Sequence, residues 1–183
     1  MKPSIWASLA LSVFVLPGCA GIAKSNAEYK QAKEDFAASL DQQSVAAEEG
    51  YTKGMAIYDA YMADGPPPTP TSVQDVQDWI DQRWPKIANA TEAFKPVHNG
   101  PMSTNGYRSH LALGNMAARL GEEVMAAGEA LPPEENQTLH KGGGPLDIFD
   151  RAHKHLNAWE PAGDNEALAS EKDALASEIE AAH

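Results

Sequence analysis

The sequence predicts an all-α protein, an antiparallel bundle of about four main helices plus a C-terminal helix. Three observations carry this. Apolar residues recur at steps of three, four and seven over long stretches, the spacing of one helical face. Breaks rich in proline and glycine separate those stretches. No stretch alternates apolar and polar residues with a period of two, as half-buried strands do. The 183 residues suit about one domain, and 43% hydrophobic content is enough for a core. Alanine supplies much of that share and aromatics only 7%, which favours closely packed helices over a broad sheet.

The first element precedes the bundle. Lys2 is followed by Ile5–Val15, an apolar run of eleven residues interrupted only by Ser8 and Ser12. A spanning helix needs about 20 apolar residues, whereas the apolar core of an export signal needs about 7–15. The run ends in Leu16-Pro17-Gly18-Cys19, and Cys19 is the single cysteine of the chain. This tetrapeptide resembles the lipobox of bacterial lipoproteins, with Pro17 standing where a small residue is more usual. The resemblance covers about the first 20 residues and implies a signal peptide over 1–18, cleavage between Gly18 and Cys19, and a diacylglyceryl lipid on the Cys19 thiol. Ala20, rather than Asp, follows the cysteine, which in such lipoproteins implies sorting to the outer membrane, facing the periplasm. Residues 19–25 then form the lipidated cysteine and a short tether, and 26–183 a single helical domain.

The first long helix is predicted over Asn26–Asp64. Tyr29, Phe36, Leu40, Ala47, Tyr51, Met55, Tyr58 and Met62 mark one face of it, with Gly50 and Gly54 as points of bending or close contact. Pro66, Pro67, Pro68 and Pro70 stop it and make a stiff connector. Ser72, with Asp75 three residues on, is predicted to cap a second helix running to about Lys95, kinked or split at Pro85. His98–Gly106, with two Asn-Gly pairs, reads as a loop. A third helix is expected over Tyr107–Leu131, with Leu111, Gly114, Ala117, Leu120, Val124, Gly128 and Leu131 on a face that a neighbour can approach closely. Glu134–His140 forms a helical turn. Pro145 opens a fourth main helix to Trp159, with Phe149, Ala152, Leu156 and Trp159 inward. The last helix, capped by Asp164 or Asn165, repeats Ala-Leu-Ala-Ser-Glu at 167–171 and 174–178. Leu168, Leu175 and Ala182 form one edge of it, Lys172 and Ile179 flank them, and two heptads are too few to predict a coiled coil.

The net charge of −12 argues against nucleic acid as a partner and against electrostatic attachment to anionic lipid. One cysteine excludes an intramolecular disulfide, a thiolate zinc site and a CxxCH haem attachment. No GxSxG, HExxH, P-loop or GxGxxG pattern is present. Gly142-Gly143-Gly144 is followed by Pro145-Leu146-Asp147, without the lysine and hydroxyl that a phosphate cradle uses. Asp150 and His153 stand three apart on one helical face, and Glu180 and His183 share that spacing. Di-iron bundles use such pairs, but with two further carboxylates. Asp150 and His153 are therefore the weak metal candidates. Met55, Met62, Met116, Met125, His110, His153 and His155 are the candidate axial ligands for a non-covalent haem. The expectation is a non-enzymatic envelope lipoprotein. It needs no cofactor, is held to the membrane by the lipid on Cys19, and has a structural or partner-binding role towards another envelope protein. A haem- or metal-binding helical bundle is the alternative.

Overall fold

The computed structural model describes residues 19–100, 103–141, 144–158 and 166–182. Six α-helices lie among the described residues, and no strand does: α1 Cys19–Ala63, α2 Val73–His98, α3 Thr104–Glu129, α4 Pro133–Lys141, α5 Gly144–Leu156 and α6 Glu166–Ala182. The protein is all-α. The chain divides into a unit through Gln42 and a unit from Gln43 onwards. Gly18 and the apolar run before it lie outside the described residues.

In the first unit the described structure is the N-terminal part of α1. The stretch 20–25, expected as a tether, is helical and continuous with it. Tyr29, Phe36 and Leu40 lie on the predicted face, and all three are exposed.

In the second unit the same face of α1 meets neighbours. Tyr51, Met55 and Tyr58 pack against a core formed by Val76, Ile87, Ala90 and Phe94 of α2 and Leu113, Met116, Leu120 and Val124 of α3. Gly54 makes this approach possible, because a Cβ there would fall onto the Phe94 ring. Tyr61, off the predicted face, is the fully buried α1 aromatic, and its hydroxyl donates to the Met116 carbonyl at 3.0 Å.

The proline connector follows α1 as predicted, and the Ser72 capping box is formed. Ser72 Oγ accepts from the Asp75 amide at 3.3 Å, and Asp75 Oδ2 accepts from the Ser72 amide at 3.0 Å. Glu135 of α4 accepts from the Val73 amide at 3.0 Å, satisfying a further donor of the helix start. α2 is not split at Pro85 and also contains Pro96. Proline removes one ladder donor, and Arg83 and Ile87 on either side of Pro85 are buried.

The loop before α3 is shorter than predicted. α2 continues through His98, and Ser103 caps α3 by accepting from the Gly106 amide at 3.2 Å. The Asn105-Gly106 pair is therefore first-turn helix, since a side-chain cap satisfies the amide that a turn would otherwise leave open. α3 is the central helix, buried on most of its circumference and packed on α2, α4, α5 and α6. The predicted close approach occurs along α3. A Cβ on Gly114 would lie 2.9 Å from the Leu156 side chain, and one on Gly121 would lie 2.6 Å from the Phe149 ring.

α5 ends at Leu156, and Trp159 lies outside the described residues, as do Asp164 and Asn165. Phe149, Ala152 and Leu156 point inward as predicted. The repeat in α6 is explained by packing within this unit. Leu168, Leu175 and Ile179 are buried in a second core cluster with Tyr107, Leu111, Phe149 and Leu156.

Candidate functional site

Two polar constellations are built into the second unit. The first surrounds Arg83, which is only 1% exposed. Its position continues the buried row Val76, Ile87 and Ala90 of α2 at helical spacing, so its cation enters the interior. The guanidinium lies between the rings of Tyr61 and Trp79, at 4.7 and 4.5 Å from their centroids. Its terminal nitrogens donate to the carbonyls of Tyr61 (3.2 Å) and Gly65 (2.9 Å) and to the carboxylates of Asp64 (2.5 Å) and Glu123 (3.1 Å). Glu123 also accepts from Trp79 Nε1 at 3.0 Å and from Arg119 Nε at 2.9 Å. Arg119 donates to the carbonyls of Met62 (2.5 Å) and Asp64 (2.6 Å).

The last turn of α1 has no basic residue of its own. Its carbonyls carry the negative end of the helix dipole. Arg83 from α2 and Arg119 from α3 supply the missing donors and charge. Lys86, also bonded to Asp64, holds that carboxyl below the usual carboxylate range, with the two arginines adding to the effect. Burial and the nearby Glu123 charge push the Tyr61 hydroxyl well above its usual value. This constellation fastens α1 to α2 and α3, and its polar groups are turned on one another except Arg83 Nε, which is buried without a hydrogen-bond partner among the described residues.

The second constellation brings three histidines together: His98 at the end of α2, His110 of α3 and His155 of α5. The rings of His98 and His110 stack at 4.0 Å with an interplanar angle of 8°. The His155 ring lies 6.5 Å from that of His110. Ser109 Oγ donates its only proton to the Gly106 carbonyl at 2.7 Å. His98 Nε2, 2.8 Å from that oxygen, must therefore be the donor to it. His110 Nδ1 is buried without a hydrogen-bond partner among the described residues.

Burial lowers the pKa of all three imidazoles. His110, which also faces the other two, is brought down to about 4. No carboxylate contributes to these shifts. The cluster is thus neutral at pH 7. His155 also borders an open groove of about 780 Å³ between α2 and α5, with Trp84, Thr91, Asp150 and Lys154.

The predicted site residues are distributed as follows. Cys19 is the first residue of α1, and Gly18 lies outside the described residues. Asp150 is exposed and His153 half-buried on α5, and no group of three or more His, Cys, Asp or Glu among the described residues is arranged to hold a metal ion. Of the haem candidates, His110 and His155 are brought together. Met116 lies inside the first core with Met55 against it, Met125 packs on the second, and Met62 is exposed beside Arg119. His183 lies outside the described residues.

Sequence reasoning missed His98, Arg83 and Glu123. His98 stands four residues after Phe94, so extending the α2 stripe by one turn reaches it. Arg83 lies seven after Val76 and four before Ile87, and a cation on an apolar row calls for partners. No family model, curated protein or solved structure matches this chain.

Proposed function

We propose that this chain is a bacterial envelope lipoprotein. The lipid on Cys19 anchors it in the outer membrane, facing the periplasm, and its body is an antiparallel helical bundle with a structural or partner-binding role. The observation that carries the reading is the position of the only cysteine, directly after Gly18 and the apolar run Ile5–Val15. Two further features support it. No helix of the described residues is long and apolar enough to cross a membrane. The acidic surface, with a net charge of −12, does not favour attachment to anionic lipid by charge. A thioether-linked diacylglyceryl group would supply the attachment, since each buried acyl CH₂ contributes about 0.8 kcal/mol and two chains hold where one is marginal.

Metabolic labelling with a radioactive fatty acid tests the anchor. The wild-type chain takes up label and matures, and Cys19→Ala remains an unlabelled precursor. Normal maturation of Cys19→Ala overturns the reading. Crosslinking in intact cells tests the partner role, with recovery of one specific envelope protein as the expected result.

A bound metal or haem is the second reading, favoured by three neutral imidazoles from three helices and the unpartnered His110 Nδ1. It requires the rings to turn so that their in-plane nitrogens converge on one point, since among the described residues they do not. It predicts stoichiometric metal or a visible absorption band that His110→Ala removes.

A further inference from the structure

The methionines Met55, Met62, Met116 and Met125 meet different surroundings. Met116 is fully buried in the first core, and Met55 and Met125 are partly buried against the two core clusters. Met62, in the last turn of α1, is 36% exposed. Its sulfur lies 3.9 Å from Arg119 Nη1, the nitrogen that also donates to the Met62 carbonyl at 2.5 Å. A further bond from that nitrogen, to the Tyr61 carbonyl, is long at 3.5 Å. One N–H of Arg119 is thus shared between two poor acceptors, a distant carbonyl and a thioether, which accepts weakly.

We propose that Met62 is an oxidation site for peroxide, and that Arg119 receives the oxygen of the resulting sulfoxide. A sulfur lone pair forms the S–O bond as the O–O bond of hydrogen peroxide breaks. The other oxygen leaves as water, taking the proton of the transferred one. Sulfur loses two electrons and the peroxide gains them. The product fits the geometry already present. A sulfoxide oxygen about 1.5 Å from sulfur and about 2.9 Å from a donor nitrogen, at an angle of about 120°, sets sulfur and nitrogen about 3.9 Å apart. That is the separation between Met62 and Arg119. Met62 ends a flexible, exposed side chain, so the oxygen turns onto Arg119 whichever lone pair is oxidised. A guanidinium hydrogen bond to that oxygen is charge-assisted. Oxidation of methionine commonly disrupts packing, because it makes an apolar side chain polar. At Met62 a strong acceptor instead replaces a weak one, outside the core. The contact between α1 and α3 is tightened there by a reaction that would damage the fold at Met116. The proposal does not rest on the lipid anchor and stands whether or not Cys19 is acylated.

Peptide mapping by mass spectrometry of the folded full chain, under limiting hydrogen peroxide, tests the site. Met62 is expected to gain one oxygen at least about fivefold faster than Met55, Met125 or Met116. A Met62 rate no higher than that of Met55 overturns the site. Thermal melting tests the role of Arg119, with Met62→Gln standing for the sulfoxide and Met62→Leu for the thioether. Gln and Leu have near-equal helix propensity, so a gap between the variants reads the new acceptor. Met62→Gln is expected to melt about 2–4 °C above Met62→Leu. A Met62→Gln chain that melts at or below Met62→Leu overturns that role. In the wild type, a single sulfoxide at Met62 is expected to leave the melting temperature no lower, and methionine sulfoxide reductase to reverse the mass gain. A fall in melting temperature on oxidation that Met62→Leu abolishes overturns the proposal. The guanidinium N–H signals of Arg119 in nuclear magnetic resonance are expected to move when Met62 is oxidised, and unmoved signals overturn the contact.

Discussion

The Arg83 and histidine constellations solve the same problem in opposite ways. Both place titratable side chains inside a helical interior, where an unpaired charge is costly. A guanidinium does not give up its proton in proteins, and the helices around Arg83 bring it two carboxylates, two carbonyls and two aromatic faces. The histidines can give theirs up, and burial lowers their pKa with no carboxylate among the causes, so they are neutral at pH 7. One constellation is held by charge and the other by the lack of it. Their responses to mutation and pH should differ accordingly.

The largest effect is expected at Glu123, the carboxylate shared by both arginines and Trp79. Glu123→Ala leaves Arg83 buried with half of its counter-charge and should lower stability by about 3–5 kcal/mol, as for broken buried pairs. Urea denaturation measures this, and a loss below about 1 kcal/mol would contradict the charge-held description. Arg83→Lys keeps the charge and loses the planar fork that bonds four acceptors. About 2 kcal/mol is expected there, from two or more lost hydrogen bonds.

Acid should act on the histidine cluster. His110 titrates near 4 when folded, whereas an unfolded histidine titrates near 6.5. Between those values the unfolded chain takes up a proton that the folded chain refuses, so acid favours unfolding. The contribution is whole above about pH 6.5, falls as pH drops towards 4, and does not fall further below that. A loss of up to about 3 kcal/mol across the window is expected, less whatever solvent screening of the half-buried ring removes. His110→Phe keeps a flat ring against His98 and should flatten the pH dependence of thermal melting in that range. An unchanged slope in the variant would assign the acid sensitivity elsewhere.

The smallest effect is expected at Asp64, whose side chain is 34% exposed although it meets Arg83 and Lys86. Asp64→Asn should cost about 1 kcal/mol or less, and less still in high salt, as exposed pairs do. Its depressed pKa means that the contribution is present above the unfolded value of about 3.9 and is lost as pH falls through the folded one. The Asp64→Asn and wild-type melting curves should therefore converge at low pH, whereas Glu123→Ala remains unstable at neutral pH at any ionic strength.

Much of the helical plan was legible in the sequence, because caps and breaks act locally. Ser72 with Asp75, the 66–70 prolines and Pro145 each satisfy or block a backbone group within a few residues, and each is found where it was expected. Local signals misled where a second local signal outweighed them. Ser103 turned Asn105-Gly106 into helix. The constellations were less legible, because their members are far apart in the chain. Arg83 and Glu123 are 40 residues apart. His98 and His155 reach His110 from different helices.

By itself the sequence determined an all-α chain, the order of its helices, and the single cysteine at the end of an apolar run. Periodicity, caps and breakers are properties of neighbouring residues, and no folding is needed to read them. Only the tertiary structure decided which parts of a stripe are covered. Tyr29 and Tyr58 belong to one predicted stripe in the sequence, yet Tyr29 is exposed in the first unit and Tyr58 lies against the core of the second. It also decided that Arg83 is caged by charge and that three histidines meet without any. Burial is a property of what arrives from elsewhere in the chain, and periodicity names a face without naming its partner.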